Sequence, residues 1–419
     1  MRIQPRWNLA FIILFIILIL SNCQIFNNDT AVVWTSRPEI AAYVETFNSV
    51  QGKYRIELKF KPYPAEALLQ EKTHPDVVFG ERLSSIKVLS VLQSLDHLFK
   101  EEQIKREFFY PGLLKQGESE ENQILLPVSF NLPVIMFEKG ALENEGNEYM
   151  FMLSLDEIKE LSRSFNQEND NGFVKLGFSP RWEEEFLYFA TVLLGAEYRE
   201  TSQVLFAWND QKLREAIDFI NKWVESVNGN IQKETVFNEK YLHAPGYKLI
   251  NDGKILFYFN DVRSYFSIPE GKRDSLDFRW IASEGKIIAS EEIFYAGIPK
   301  RAGNKKAAYA FLSWFFSPLT QGELLQTARL KRMRSFGIAG GLSSLPIINE
   351  RELPRYYPSL TGHIPPMEFL TFPERLPYNW ADLKEEVILP WILRETSANP
   401  SGSGLDESIN SWLMQQPLR

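Results

Sequence analysis

The sequence predicts an α/β fold with a largely parallel sheet, on two observations. Apolar strand patterns at residues 31–34, 55–60 and 75–81 alternate with helical patterns at residues 39–48 and 65–72. A strand–helix–strand order at this spacing joins parallel strands through right-handed crossovers. Ligands bind open parallel sheets beyond the carboxyl ends of the strands. Polar residues at those ends are therefore binding candidates.

The first such candidates are Ser36, Arg37 and Glu81. Ser36 and Glu39 have the spacing of a capping box, with Ser36 as N-cap of the first helix. Free amides at a helix N-terminus suit hydroxyl or anionic groups, and a carboxylate such as Glu81 accepts hydrogen bonds from hydroxyls. Two alternatives stay open: Ser36 only caps its helix, and Glu81 is a solvated loop acid.

The later elements follow from the same patterns. An apolar stripe predicts a helix over 211–227, with Asp210 as its N-cap. Asn304 is the predicted N-cap of a further helix, which Pro318 stops. Asn260 and Asp261 follow a buried strand and either reach a ligand or make a turn. The further predicted strands are 125–139, 172–178, 253–261 and 293–300, and the further helices are 181–194, 211–227 and 381–394.

The N-terminus has the pattern of an export signal. Arg2 and Arg6 precede an apolar run, Leu9 to Leu20, whose helical length of roughly 18 Å is short of the ~30 Å bilayer core. Leu-Ser-Asn-Cys at 20–23 resembles the lipobox of bacterial lipoproteins, although Asn22 stands where Ala or Gly is usual. This predicts a signal peptide at 1–22, lipidation of Cys23 and a tether at 23–29. The alternative is an unmodified cysteine without a functional role, behind an uncleaved membrane anchor.

Composition excludes several classes of function. A net charge of −8 argues against nucleic acid and against anionic membrane surfaces as partners. Cys23 is the only cysteine and the four histidines are scattered, so we expect no disulfide, no metal site and no cofactor. No motif places a nucleophile beside a base. The aromatic content of 14% suits stacking on sugars where rings are exposed.

Five stretches, in order, resemble the extracellular solute-binding lipoproteins of bacterial ABC importers, family 1, sugar-binding type. They lie between residue 31 and about residue 328. They are AVVWTSRPEIAAYVETFN, HPDVVFGERLSSIKVLSVLQSLDHLF, LLPVSFNLPVIMFEKG, FAWNDQKLREAIDFINKWVES with GKILFYFNDVRSYF, and IFYAGIPKRAGNKKAAYAFLSWFFSPLTQGELL. Glu138 departs from the family's Asn, and Gly195-Ala196 departs from its glycine pair.

The resemblance implies a two-lobed, periplasmic-binding-protein-like fold of type II with a hinged cleft. Each lobe would be a mostly parallel sheet flanked by helices. The implied division is 30–127 plus 284–318 for lobe I and 128–283 plus 319–419 for lobe II. Chain crossings are expected near 126–128, 281–285 and 317–321.

The resemblance also implies site residues. Ser129 and Asn131 match hinge-strand positions that face the cleft, and Tyr295 lies where the first lobe meets ligand. Trp182 matches a ring that stacks on a sugar, with core packing as the alternative. The complete candidate set is Ser36, Arg37, Glu81, Ser129, Asn131, Trp182, Asn260, Asp261, Tyr295 and, from the C-terminal segment, Trp380.

The implied function is a non-enzymatic, monomeric receptor. It would be exported, held at a membrane by its lipid anchor, and would deliver a small solute, a sugar by resemblance, to an ABC permease. A sensor or surface-interaction lipoprotein of the same fold and a carbohydrate hydrolase are the alternatives. The acids Glu183 to Glu185 are interpreted as a solvated helix face, because consecutive helical residues point in different directions.

Overall fold

The computed structural model describes residues 29–101, 103–143, 151–204 and 206–415. The predicted signal peptide, Cys23 and most of the predicted tether lie outside these ranges. Within them, none of the helices combines the length and the apolar character that crossing a membrane requires.

The strands belong mainly to two large sheets. In chain order they are β1 (Asp29–Thr35), β2 (Tyr54–Phe60), β3 (Val77–Glu81), β4 (Glu118–Ser119), β5 (Asn122–Gln123), β6 (Leu125–Phe130), β7 (Pro133–Glu138), β8 (Met152–Ser154), β9 (Gln167–Asn169), β10 (Gly172–Lys175), β11 (Tyr258–Asp261), β12 (Leu276–Ser283), β13 (Lys286–Ile288), β14 (Phe294–Gly297), β15 (Leu342–Ser343) and β16 (Leu370–Thr371).

Helices flank both sheets. They are α1 (Glu39–Val50), α2 (Pro64–Gln70), α3 (Ile86–Leu89), α4 (Asp96–Lys100), α5 (Pro111–Lys115), α6 (Leu155–Phe165), α7 (Glu184–Leu193), α8 (Asp210–Val227), α9 (Ile231–Tyr241), α10 (Gly246–Asn251), α11 (Val262–Ser267), α12 (Glu270–Arg273), α13 (Lys305–Phe315), α14 (Pro318–Leu330), α15 (Leu353–Tyr356), α16 (Trp380–Leu383), α17 (Leu389–Glu395) and α18 (Leu405–Gln415). Short 3₁₀ and π turns join several of them.

The first sheet, with its helices, is lobe I. Its strand order is β15-β6-β14-β3-β1-β2, and β1 pairs in parallel with both β2 and β3, as the strand–helix pattern predicts. Strands β14 and β15 instead pair antiparallel with their neighbours. The sheet is therefore mixed: β14 enters from the other lobe, and β15 follows it through α13 and α14.

The second sheet, with its helices, is lobe II. Its order is β11-β7-β12-β13-β16, and β8 joins it beside β12. Strands β11, β7, β12 and β13 pair antiparallel along this order, and the β12–β8 and β13–β16 pairs are parallel. The expectation of a mostly parallel sheet is wrong for this lobe, since β12 and β13 form a hairpin.

The chain changes lobe later than expected at each crossing. It leaves β6 at Phe130 and enters β7 at Pro133, so the first crossing is Asn131–Leu132 and not 126–128. The second, 289–293, joins β13 to β14, because 284–285 is only the β12–β13 turn. The third lies between β15 and β16, so residues 342–343 belong to the sheet of lobe I.

Two local predictions at helix ends are wrong. Ser36 does not cap α1, whose N-cap is Pro38 without a side-chain cap, and the hydroxyl of Thr35 accepts the Arg37 amide at 3.0 Å. The amide oxygen of Asn209, and not Asp210, caps α8. The predicted stop before Pro318 is confirmed, since α13 ends at Phe315, and Pro318 then begins α14, as a proline can in a first helical turn. The Asn304 cap of α13 is confirmed.

Candidate functional site

A cavity of about 380 Å³ opens beside β11, at the lobe II end of the second crossing. Five carboxylates and one guanidinium line it, so its wall is strongly acidic. The lining residues are Pro133, Glu183, Glu185, Tyr188, Phe189, Tyr258, Phe259, Asn260, Asp261, Arg263, Ser264, Ser290, Glu291 and Glu292.

Strand pairing places Asn260 and Asp261 at the cavity. β11 runs antiparallel to β7, with Asp261 opposite Pro133, so the end of β11 lies where β7 leaves the first crossing. The Asp261 carboxylate caps α11 by accepting the Ser264 amide at 2.6 Å and accepts the Asn131 side-chain amide at 2.5 Å. Asn131 therefore lies behind the cavity wall and holds Asp261 against the crossing.

Glu183, directly before α7, extends the acidic wall. Its carboxylate accepts a hydrogen bond from the Tyr258 hydroxyl on β11. Burial raises the pKa of Glu183 above its ordinary value, although the Tyr258 hydrogen bond opposes this. The carboxylate oxygens of Glu183 can accept a hydrogen bond from a ligand hydroxyl.

A buried lysine joins lobe II to the second crossing behind the cavity. The Lys384 ammonium lies 2.5 Å from Glu185 and 2.6 Å from Glu291, and 4.2 Å from the centre of the Tyr188 ring. Burial alone would lower the pKa of Lys384, but the two carboxylates outweigh it and raise that pKa. Lys384 therefore stays charged and fixes Glu291 on the crossing.

Arg263 is the guanidinium of the cavity wall. It lies 2.9 Å from Glu292 and 3.5 Å from Asp261, and its pKa is raised because these carboxylates outweigh the effect of burial. Burial likewise disfavours charge on Glu292, but Arg263, Arg82 and Arg37 together lower its pKa. Charges from both lobes therefore converge on Glu292 in the second crossing.

Aromatic rings form the apolar part of the wall. Phe189 of α7 and Phe259 of β11 stack with centroids 5.8 Å apart and an interplanar angle of 26°. Tyr188 and Tyr258 add two rings with polar edges. A wall of rings and carboxylates matches the apolar faces and hydroxyl edges of a sugar.

Arg37, Glu81 and Ser129 meet in lobe I, in what we call the Arg37 cluster. The guanidinium lies 2.6 Å from Glu81 and donates to Ser129 Oγ at 3.4 Å and to the Ala339 carbonyl oxygen. It also lies 4.3 Å from the centre of the Phe294 ring, and Arg37 is 9% exposed. These side chains bind each other, so their ligand role stays a prediction.

The Arg37 cluster approaches the cavity through the turn after Ala339. Gly340 has φ of +77°, and a Cβ there would lie 3.5 Å from the Arg37 guanidinium and 3.6 Å from Arg263 Cδ. This turn thus separates the two arginines, and only glycine fits there without strain.

Ser36 and Tyr295 do not line the large cavity. Ser36 lines a gap of about 40 Å³ that it shares with Glu81, Arg82 and Tyr378. Tyr295 is 2% exposed in the middle of the first sheet, where burial raises its pKa. Tyr295 is therefore a core residue with its edge at a gap of about 20 Å³.

Neither tryptophan candidate lines the large cavity, and their ligand role stays a prediction. Trp182 stacks on Phe237 at 6.0 Å and meets Phe178 edge-on, which is the core-packing alternative. Trp380 is fully buried, with the ring of Phe206 at 5.2 Å. Aromatic side chains of lobe II thus pack its core as well as lining the cavity.

Local sequence patterns do not predict most of the cavity wall. Glu184 and Glu185 are exposed, as the predicted solvated face requires, but Glu185 also binds Lys384, and Glu183 binds Tyr258. The signal that could have found the wall is the pair Glu291-Glu292, placed directly before the buried strand β14.

Solved structures of similar fold bind sugars. The ABC substrate-binding protein Lmo0181 from Listeria monocytogenes, in complex with cycloalternan, has a TM-score of 0.60 at 12% identity, over 91% of this chain and 96% of that one. The GacH receptor of Streptomyces glaucescens, solved unliganded and with acarbose, has a TM-score of 0.62 at 14% identity, over 92% and 97%.

A third similar structure is the galacto-N-biose-/lacto-N-biose I-binding protein of the ABC transporter from Bifidobacterium longum, in complex with lacto-N-biose. Its TM-score is 0.59 at 11% identity, over 91% of this chain and 94% of that one. No protein-family model matches the chain, and no curated protein does. At these identities the likeness shows the fold, which is the predicted two-lobed, periplasmic-binding-protein-like one.

Proposed function

We propose that this chain is a non-enzymatic receptor that binds a sugar in the cavity beside β11 and delivers it to an ABC permease. The observation that carries the proposal is the acidic, ring-lined cavity of about 380 Å³ beside a chain crossing in a two-lobed fold. Solved proteins of this fold bind cycloalternan, acarbose and lacto-N-biose. Export and anchoring through Cys23 complete the proposal.

The cavity wall assigns a role to each group. Glu183, Asn260 and Glu292 offer acceptors, and the amide of Asn260 a donor, to sugar hydroxyls. Phe189 and Phe259 supply an apolar face for the ring. Binding closes the lobes only if the sugar contacts both at once. Arg82 of lobe I, whose charge acts on Glu292, is a candidate cation for that contact.

The experiment is a thermal-shift screen of the full chain with acarbose, lacto-N-biose and cycloalternan, and with glycine betaine and spermidine as non-sugar controls. A sugar at about 100 times its dissociation constant should stabilise the fold by about 2.7 kcal/mol. Product release measured in parallel distinguishes binding from hydrolysis. A shift with a control solute alone, or turnover of a sugar, would contradict the proposal.

A further inference from the structure

The end of α14 carries a run of positive charge that the overall charge of −8 conceals. Residues 324–349 contain no Asp or Glu, while Arg329, Lys331, Arg332 and Arg334 lie within six positions of each other. We call these four residues, with Leu330, the α14 basic patch. Charges of one sign on adjacent exposed residues create a local field that net charge does not report.

Most of these cations are not neutralised. Lys331 forms an ion pair with Glu45 at 2.7 Å. Arg329, Arg332 and Arg334 have no ion pair among the described residues, and the Arg329 guanidinium lies 5.9 Å from the centre of the Tyr356 ring. All three arginines are exposed.

Two cavities flank the segment that carries the patch. One, of about 260 Å³, is lined by Arg329, Arg332 and Tyr356, and the other, of about 350 Å³, by Arg334, Arg273 and Phe336. Both include Met333, Ser335 and Tyr357, so this segment is a ridge with a cavity and guanidinium groups on each side. Neither cavity shares a residue with the proposed sugar site.

An apolar side chain projects from the middle of the patch. Leu330 is 77% exposed between Arg329 and Lys331. An exposed large apolar residue surrounded by cations is typical of surfaces that contact the interface of an anionic bilayer, where the cations meet headgroup phosphates. A second basic run, Lys300 to Lys306, has no exposed large apolar residue in the described structure.

We propose that the α14 basic patch binds the phosphate groups of anionic phospholipid headgroups, with Leu330 entering the interface. Arg329 and Arg332 bind on one side of the ridge and Arg334 on the other. Guanidinium is suited to this role because its planar donors match phosphate oxygens in pairs. This contact would orient the body of the protein on a membrane, and it is independent of the sugar site.

The test places the full chain in nanodiscs of phosphatidylcholine alone or with phosphatidylglycerol added. Hydrogen exchange is then followed over residues 326–336. We expect several-fold slower exchange in the anionic discs. Raising salt from about 0.05 M to about 0.5 M should abolish the difference, because screening shortens the reach of the charges.

Variants locate the contact. The triple variant Arg329→Gln/Arg332→Gln/Arg334→Gln should lose the lipid-dependent protection. Each cation removed should weaken binding to the anionic discs roughly fivefold. The matched control Arg301→Gln/Lys305→Gln/Lys306→Gln removes as many cations from the second basic run and should keep it. Unchanged exchange of β1 and β3 in both variants shows that they fold, and the salt dependence of the unmodified chain tests the proposal without any variant.

Four outcomes overturn the proposal. They are equal exchange in both discs, protection that the triple variant keeps, protection that only the control variant loses, and equal protection by inorganic phosphate in neutral discs. The last would assign the patch to a soluble phosphate and not to a lipid.

Discussion

The Arg37 cluster and the cavity beside β11 use similar residues in opposite ways. In lobe I, the Arg37 guanidinium lies within ion-pair reach of Glu81 and hydrogen-bond reach of Ser129, so these side chains bind each other. In lobe II, Glu183, Asn260 and Glu292 leave an open volume of about 380 Å³ between them. The difference teaches that polar residues at strand ends become a binding surface only where their partners leave room for a ligand.

The largest expected effect is on stability and comes from breaking the Arg37 cluster. Arg37→Met removes the closer ion pair of Glu81, which keeps Arg82 at 3.4 Å, and leaves the Ala339 carbonyl oxygen without the Arg37 donor in a largely buried place. Removing one member of a buried pair is strongly destabilising, so urea unfolding should show a loss of about 3 kcal/mol. The control Arg301→Met removes an exposed cation and should change stability by less than about 0.5 kcal/mol. Equal losses of stability in the two variants would contradict a stabilising role for the Arg37 cluster.

The next effect is on sugar affinity. Asn260→Ala removes a donor and an acceptor from the cavity wall, and should weaken binding about tenfold in calorimetric titration of the sugar that stabilises the chain most. Ser129→Ala is the matched control, because its hydroxyl binds Arg37 inside the closed cluster. If Ser129→Ala weakens binding more than Asn260→Ala does, the assignment of the two regions is reversed.

The smallest effect concerns pH. Burial raises the pKa of Glu183 in the folded chain, so the folded state holds this proton more tightly than the unfolded state. The stability from Glu183 is therefore present at low pH and lost as pH rises through the raised pKa. Glu183→Gln should stabilise the chain relative to the unmodified one near pH 7, by less than about 1 kcal/mol, and the gain should vanish near pH 4.

Unfolding followed at both pH values measures this difference. Tyr258→Phe is its control, since it removes the hydrogen bond to Glu183 and leaves the carboxyl buried. A gain for Glu183→Gln that grows toward acid pH would contradict the assigned direction of the pKa shift.

Much of the fold could be predicted because local patterns determine it. The apolar patterns of β1 to β3, the apolar stripes of α8 and α13 and the Asn304 cap of α13 depend on neighbours in sequence. The crossings could not be placed, because β6 and β7 read as one apolar run although they belong to different sheets. Membership of a sheet is set by distant partners, which a local pattern does not contain.

The candidate site was predicted less well for the same reason. Asn260 and Asp261 follow a strand and line the cavity, and Asn131 holds Asp261. The sequence alone does not distinguish the buried Trp380 from an exposed tryptophan, because its burial depends on packing against Phe206 and Tyr188. Glu291 and Glu292 line the cavity because they lie in the second crossing, and local patterns do not predict the position of that crossing.

The central claim is that a sugar occupies the cavity between the end of β11 and the second crossing. The most direct measurement is a crystal structure of the full chain with the sugar that gives the largest thermal shift. We expect that sugar within hydrogen-bond distance of Asn260 and Glu292, with a ring face on Phe259. A sugar bound outside this cavity, with the cavity unchanged, would contradict the account.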